Sequence, residues 1–171
     1  MKPSKLRATR VLATALAVAL GLLATLSKGT AIAEPYDEIE VRNLATVQTG
    51  FDAWSAGTGS PYDALADDVR WEIVGKSVAS RVYVGKEDFL ANVIGPFNAR
   101  MSARLTPTIR DIYADGDTVV VFFDAQGTAR DGVPYRNTYA WFLTLRDGTI
   151  IEASAFFDSI AFNDLWQRVP A

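Results

Sequence analysis

The chain has 171 residues, 49% of them hydrophobic, with 17 basic residues against 20 acidic and neither cysteine nor histidine. Without cysteine no disulfide or lipoprotein anchor can form. Without histidine no Ser-His-Asp or Cys-His nucleophile system can be built, and a zinc site would need carboxylates alone. Any chemistry falls to Asp, Glu, Tyr, Lys or Arg, and no residue pattern calls for a cofactor or a metal.

Residues 1–33 stand apart. Lys2, Lys5, Arg7 and Arg10 form a basic head, "VLATALAVALGLLATL" from Val11 to Leu26 is apolar, and the segment ends in Ala31-Ile32-Ala33, a small-x-small cleavage pattern. That order predicts a secretory signal peptide cut after Ala33 and a secreted or periplasmic mature chain. The apolar run is shorter than the roughly 20 residues of a spanning helix, so no stable membrane anchor is expected after cleavage; an uncleaved anchor is the other reading. Five of the 17 basic residues and none of the acids lie in the leader. Residues 34–171 therefore carry 12 basic against 20 acidic residues, a net charge of −8. Such an acidic domain has no electrostatic footprint for nucleic acid or for anionic membrane surfaces.

From Asp37 to Trp54, apolar residues at Ile39, Val41, Leu44, Val47, Phe51 and Trp54 recur at steps of mostly three or four and predict an amphipathic helix, closed by "SAGTGSP". "YDALADD" reads as a short second helix stopping at Asp67-Asp68. "VRWEIVG" alternates, with Val69, Trp71 and Ile73 on one side, and "SRVYVG" returns as its hairpin partner. "KEDFLANVIGPFNARM" predicts a third helix, interrupted around Gly95-Pro96. After Pro107 four strand runs follow, separated by the turn signals "ADGD", "ARDGVP" and "RDG", and "SIAFNDLWQRV" is a short terminal helix. Helices first and strands later predict an α+β fold, three helices covering one face of a curved antiparallel sheet, with a cavity between the layers.

Side-chain alternation groups Phe122, Asp124, Gln126 and Thr128 on one face of their strand. It groups Tyr135, Asn137, Tyr139 and Trp141 on another, and Glu152, Ser154, Phe156 and Asp158 on the last. If these faces meet, Asp158 and Asp124 form a carboxylate pair whose pKa values separate into an acid and a base. Trp71, Tyr83, Asn137, Tyr139, Trp141 and Phe156 would then be the substrate-binding walls and donors. Two alternatives stay open: Asp158 as N-cap of the terminal helix, and Val119, Val121 and Phe123 as the inner face of their strand, leaving Asp124 in solvent.

"ALADDVRWEIVG" and "DGVPYRNTYAWFLTLRDGTIIEASAFFD" resemble segments of SnoaL-like and ketosteroid-isomerase-like proteins of the nuclear-transport-factor-2-like superfamily. The resemblance implies a cone-shaped α+β fold over nearly all of residues 34–171. It does not carry the steroid-isomerase machinery: Ile73 follows the "W-E" pair where that group has its base, and "QTGFD" holds no tyrosine. Limonene-epoxide hydrolases, which are similar in the last strands, would place catalytic aspartates at Asp158 and Asp124, but their bridging arginine falls on Phe122. SnoaL-type polyketide cyclases use one aspartate, for which Asp158 is the candidate. The expected partner is a small, largely apolar organic molecule, with cofactor-free acid–base chemistry. The alternative is a non-catalytic exported module that binds, or that forms a homodimer through the sheet.

Overall fold

The computed structural model describes residues 35–171; the leader and its cleavage site lie outside the described residues. Helix α1 (Glu38–Ala56) opens with a reciprocal cap. Asp37 Oδ1 accepts from Glu40 N–H, and Glu40 Oε2 accepts from Asp37 N–H, both at 2.8 Å. Glu40 also holds the neighbouring strand turn, its Oε1 accepting from Gly116 N–H at 3.0 Å. The helix stops at Gly57, which takes the left-handed conformation (φ 76°) that ends helices cheaply only at glycine. Of the six apolar positions, Val47 and Phe51 are buried and Leu44 and Trp54 pack partly, whereas Ile39 and Val41 are exposed on the first turns.

A 3-10 turn (Pro61–Ala64) leads into β1 (Leu65–Ile73), followed by β2 (Val82–Val84). Where a second helix was expected, "LADD" is already strand. It reads irregularly because β1 is bulged: Leu65 pairs with Ile150 and Arg70 with Glu152, so five steps of β1 match two of its partner. The third helix is continuous from α2 (Lys86–Phe89) through a π-helical turn (Leu90–Ile94) into α3 (Gly95–Ala99). The widened turn lies directly before Pro96, which has no N–H for an ordinary helical bond; Gly95 N–H instead reaches Leu90 O.

The meander then runs β3 (Met101–Asp115), β4 (Thr118–Ala129), β5 (Pro134–Arg146) and β6 (Thr149–Phe157), and α4 (Ser159–Arg168) closes the fold. The six strands form one sheet in the order β2-β1-β6-β5-β4-β3, antiparallel throughout except that β1 runs parallel to β6. The architecture is α+β, as expected. That parallel pairing carries the N-terminal third of the domain into the C-terminal meander. Among the described residues no helix is long and apolar enough to cross a membrane, and no group of three acidic side chains is placed to hold a metal.

The core lies on the helix-covered face. Val119, Val121 and Phe123 of β4, Tyr139, Trp141 and Leu143 of β5, Ala153 and Ala155 of β6 and Val69, Trp71 and Ile73 of β1 are all buried there. Phe51 plugs the centre, with ring centroids 4.8 Å from Phe123 and 5.7 Å from Trp141. In β6 the apolar side is one residue out of phase with simple alternation from Ile150. Thr144 pairs with Glu152 but Leu145 with Ile150, so Ile151 is an extra residue, and every side chain after it is turned to the opposite face. Phe51→Ala removes an aromatic ring from this fully packed position and is expected to cost about 3–5 kcal/mol. Urea unfolding of the two proteins measures it, and a difference under about 1 kcal/mol would contradict the packing described.

Candidate functional site

Between the sheet and the helices lies a cavity of about 540 Å³. Its floor is Trp71, Tyr139, Trp141, Ala155 and Phe157 from the sheet. Its roof is Trp54 from α1, Tyr62 from the 3-10 turn, and Phe89, Val93 and Phe97 from the third helix. The walls hold one another by edge and face. Trp71 stacks on Phe89 at 4.3 Å and 15°, and meets Trp141 edge-on at 5.2 Å and 86°. Trp54 lies parallel to Trp141 at 6.2 Å and 11°. Such contacts add to the burial of large apolar area and make rigid, flat walls.

Charged groups are confined to the cavity's rim, where Asp63, Lys86 and Arg104 stand. Arg104 is engaged with the end of α1, donating to Trp54 O at 2.6 Å and Ser55 O at 2.8 Å, carbonyls of the helix's last turn. Asp63 caps the 3-10 turn by accepting from Ser60 N–H at 2.8 Å. The polar atoms on the aromatic walls are those of phenols and indoles. Burial pushes the pKa of Tyr62 up, and that of Tyr139 well up, so both stay neutral hydroxyls. The Trp71 indole N–H is buried with no hydrogen-bond partner among the described residues.

Of the eight residues expected from the sequence, Trp71, Tyr139 and Trp141 line this cavity. The other five do not. Tyr83 is buried in the core behind Phe89 and donates to Ala79 O at 2.6 Å. Phe156 is on the far side of the sheet, 43% exposed beside the equally exposed Phe142 at 5.9 Å, because the extra residue Ile151 turned its strand over. Asn137 is buried at the end of the same β5 face, and reaches the cavity only through two tyrosine hydroxyls.

Asp124 lies on the outer face of β4. Thr138 Oγ1 donates to its Oδ1 and Arg110 Nε to its Oδ2, both at 2.6 Å, and these bonds hold its carboxyl below the usual range. Asp158 is exposed at the N-terminus of α4 and its Oδ1 accepts from Ile160 N–H at 2.8 Å, which is the capping geometry. The two carboxylates do share a groove, but it is a polar one on the outside of the sheet, with Thr106, Thr108, Gln126 and Arg136. The carboxylates with a shifted pKa, Asp88, Asp124 and Asp131, are all lowered, so none shows the upward shift that general acid–base work uses.

Residues the sequence did not single out make most of the walls: Trp54, Tyr62, Phe89, Phe97, Phe157 and Phe162. Phe157 could have been found only by detecting the bulge, and Trp54 from its place at the last turn of an amphipathic helix.

Known proteins are similar over the same region. The family model described as SnoaL-like domain matches residues 47–153. A protein assigned as a SnoaL-like polyketide cyclase from Jannaschia sp. CCS1 superposes with a TM-score of 0.61 at 22% identity, covering 80% of this chain and 99% of that one. Bal32a, from a soil-derived mobile gene cassette, gives 0.63 at 18% identity, covering 75% and 98%. TerC, co-crystallised with polyporic acid, gives 0.60 at 19% identity, covering 72% and 97%. No curated protein matches the chain in sequence.

Asp158→Ala tests the capping assignment. It is expected to lose about 1 kcal/mol of stability in urea unfolding, the usual worth of an N-cap, and to leave occupancy of the aromatic cavity unchanged. A change in ligand affinity without a change in stability would return Asp158 to the site.

Proposed function

This chain belongs to the SnoaL-like domain family, and from that premise and the geometry of its cavity we propose that it binds a small, largely apolar organic molecule between the sheet and the helices. The observation that carries the reading is the lining: a cavity of about 540 Å³ walled by aromatic rings, with its charged residues at the rim. Volumes of this size with a few convergent polar groups are what small-molecule sites require. Flat rigid walls favour a planar or polycyclic guest, whose burial releases about 25 cal/mol per Å² of apolar surface before the cost of immobilisation is met. The cone-like taper expected from the family resemblance would admit such a guest at the rim marked by Asp63, Lys86 and Arg104. Folds of this kind are also found in a protein assigned as a polyketide cyclase and in one crystallised with polyporic acid, which supports organic molecules as the guest class.

Binding is favoured over turnover by a carboxylate. The rim acid Asp63 is occupied as a cap, and Asp124 and Asp158 are on the outside of the sheet. Trp54, Trp71 and Trp141 line the cavity, so a bound aromatic quenches or shifts tryptophan emission. Fluorene, a planar tricyclic hydrocarbon, is expected to produce a saturable change. Ala155→Phe, which puts a ring into the floor, is expected to weaken it at least tenfold while the circular dichroism stays native. Absence of a saturable signal from fluorene and from larger polycyclic probes would sink the binding reading.

We further propose that the binder acts outside the cytoplasm after removal of residues 1–33. Expression of the full chain in a bacterium with an intact general secretory pathway is expected to give a processed protein beginning at Glu34, read by intact mass and N-terminal sequencing. A cytoplasmic product that retains Met1 or Lys2 overturns this.

A further inference from the structure

The hydrogen-bond chain that ends at the Tyr139 wall has a direction, and the direction is set by one buried amide. Asn137 uses all of its side-chain hydrogen-bonding capacity. Its Oδ1 accepts from Thr138 N–H at 2.8 Å and from Asp158 N–H at 3.0 Å. Main-chain N–H groups can only donate, so the oxygen of the amide must be the atom that faces them, and its orientation is not free. The Nδ2 group then donates both its hydrogens, one to Asp158 O at 3.0 Å and one to the Tyr135 hydroxyl at 2.9 Å.

The consequence passes along the two tyrosines. Tyr135 is buried, and the only partners of its hydroxyl among the described residues are Asn137 Nδ2 and the Tyr139 hydroxyl, 3.1 Å away. Since the amide donates to it, Tyr135 can satisfy its own proton only by donating to Tyr139. A buried hydroxyl that keeps its proton unpaired loses the bond it would have made with water, which is the costlier arrangement. Tyr139 accepts from Tyr135, and its own proton has no acceptor among the described residues. Tyr139 is also a cavity wall. Burial raises its pKa well above the ordinary tyrosine value, and the neighbouring phenols add to the rise, so the proton is retained.

We propose that Tyr139 is the anchor for an acceptor oxygen of the bound molecule, and that Asn137, through Tyr135, is the positioning residue that makes the site donate. This rests on the cavity being a binding site and adds the ligand class: a planar apolar body carrying a ketone, quinone or comparable carbonyl oxygen, in preference to the hydrocarbon or the alcohol of the same shape. An alcohol can accept from Tyr139, but it must leave its own proton unpaired against aromatic walls. A site that discriminates by an unpaired polar group does so more sharply than one that discriminates by size.

The test uses three probes of nearly equal shape: fluorene, 9-fluorenone and 9-hydroxyfluorene, titrated against residues 34–171 by tryptophan emission. Fluorenone is expected to bind more tightly than the other two. Its carbonyl stretch in the infrared is expected to move to lower frequency when bound. Tyr139→Phe is expected to weaken fluorenone about tenfold, the scale of one hydrogen bond, to return the carbonyl band to its unbonded position, and to leave fluorene within twofold. Asn137→Asp presents an acceptor to Tyr135, reverses both hydroxyls, and is expected to shift the preference from fluorenone to 9-hydroxyfluorene. A residue that only supported the fold would weaken all three probes together. If that variant is unfolded by circular dichroism, the Tyr139→Phe titrations and the infrared band decide.

Equal loss of fluorene and fluorenone on Tyr139→Phe, or an unshifted band in the wild type, overturns the anchor while the cavity reading stands. A folded Asn137→Asp protein that keeps its ketone preference overturns the positioning role. Failure of all three probes to bind overturns the cavity reading and the anchor with it.

Discussion

Between the Thr144–Glu152 and Leu145–Ile150 pairs, the β5–β6 ladder takes in one extra residue, Ile151, and the rest of the domain depends on that phase shift. Before it, Ile150 is buried; after it, Ala153, Ala155 and Phe157 face the helices and Glu152, Phe156 and Asp158 face away. The small side chain at Ala155 leaves room that the cavity occupies. The outward Glu152 meets Arg70 of β1 at 3.0 Å, an exposed pair worth little in energy but consistent with the parallel register of those two strands. Without the extra residue, β6 would turn two acids and Phe156 toward the helices.

The parallel pairing of β1 with β6 then brings Trp71 against Trp141 and joins the two ends of the described chain. Phe51 from α1 packs on Phe123 and Trp141, so each layer contributes rings to one continuous aromatic cluster. These rings, held in edge-to-face and stacked contacts, do not fill the space between sheet and helices. The residual volume is the cavity. Packing and pocket are thus one feature, and aromatic content that stabilises the fold also sets the shape of the cavity.

Electrostatics divides inside from outside. The carboxylates Asp88, Asp124 and Asp131 are each engaged by an arginine on the exterior, by Arg81, Arg110 and Arg168 respectively. The cavity's aromatic walls keep neutral hydroxyls, whose burial holds them protonated. A neutral donor in an apolar enclosure suits recognition of a carbonyl oxygen. It does not by itself provide a base, and this is the physical ground for placing binding ahead of turnover.

The sequence by itself determined the α+β class, the amphipathic first helix, the hairpin signals of the meander and the inward face of β5 with Tyr139 and Trp141, because these are local patterns of period 3.6 or 2 and of turn residues. It also limited chemistry to residues other than Cys and His. Its reading of "YDALADD" as a helix held only for Tyr62–Ala64, within the 3-10 turn, and failed for "LADD" because the β1 bulge there exists only opposite β6; the inward assignment of Phe156 and Asp158 failed for the same kind of reason. Asp as an N-cap and Asp as a pocket acid are one letter in a sequence; only the position of α4 separates them. A bulge and the face a strand shows after it are set by partners far away in sequence, and the direction of the Asn137–Tyr135–Tyr139 chain draws on one as well, the Asp158 backbone. Tertiary structure alone decided them, because hydrogen bonds between strands, and not the order of residues along one strand, fix which side each residue takes.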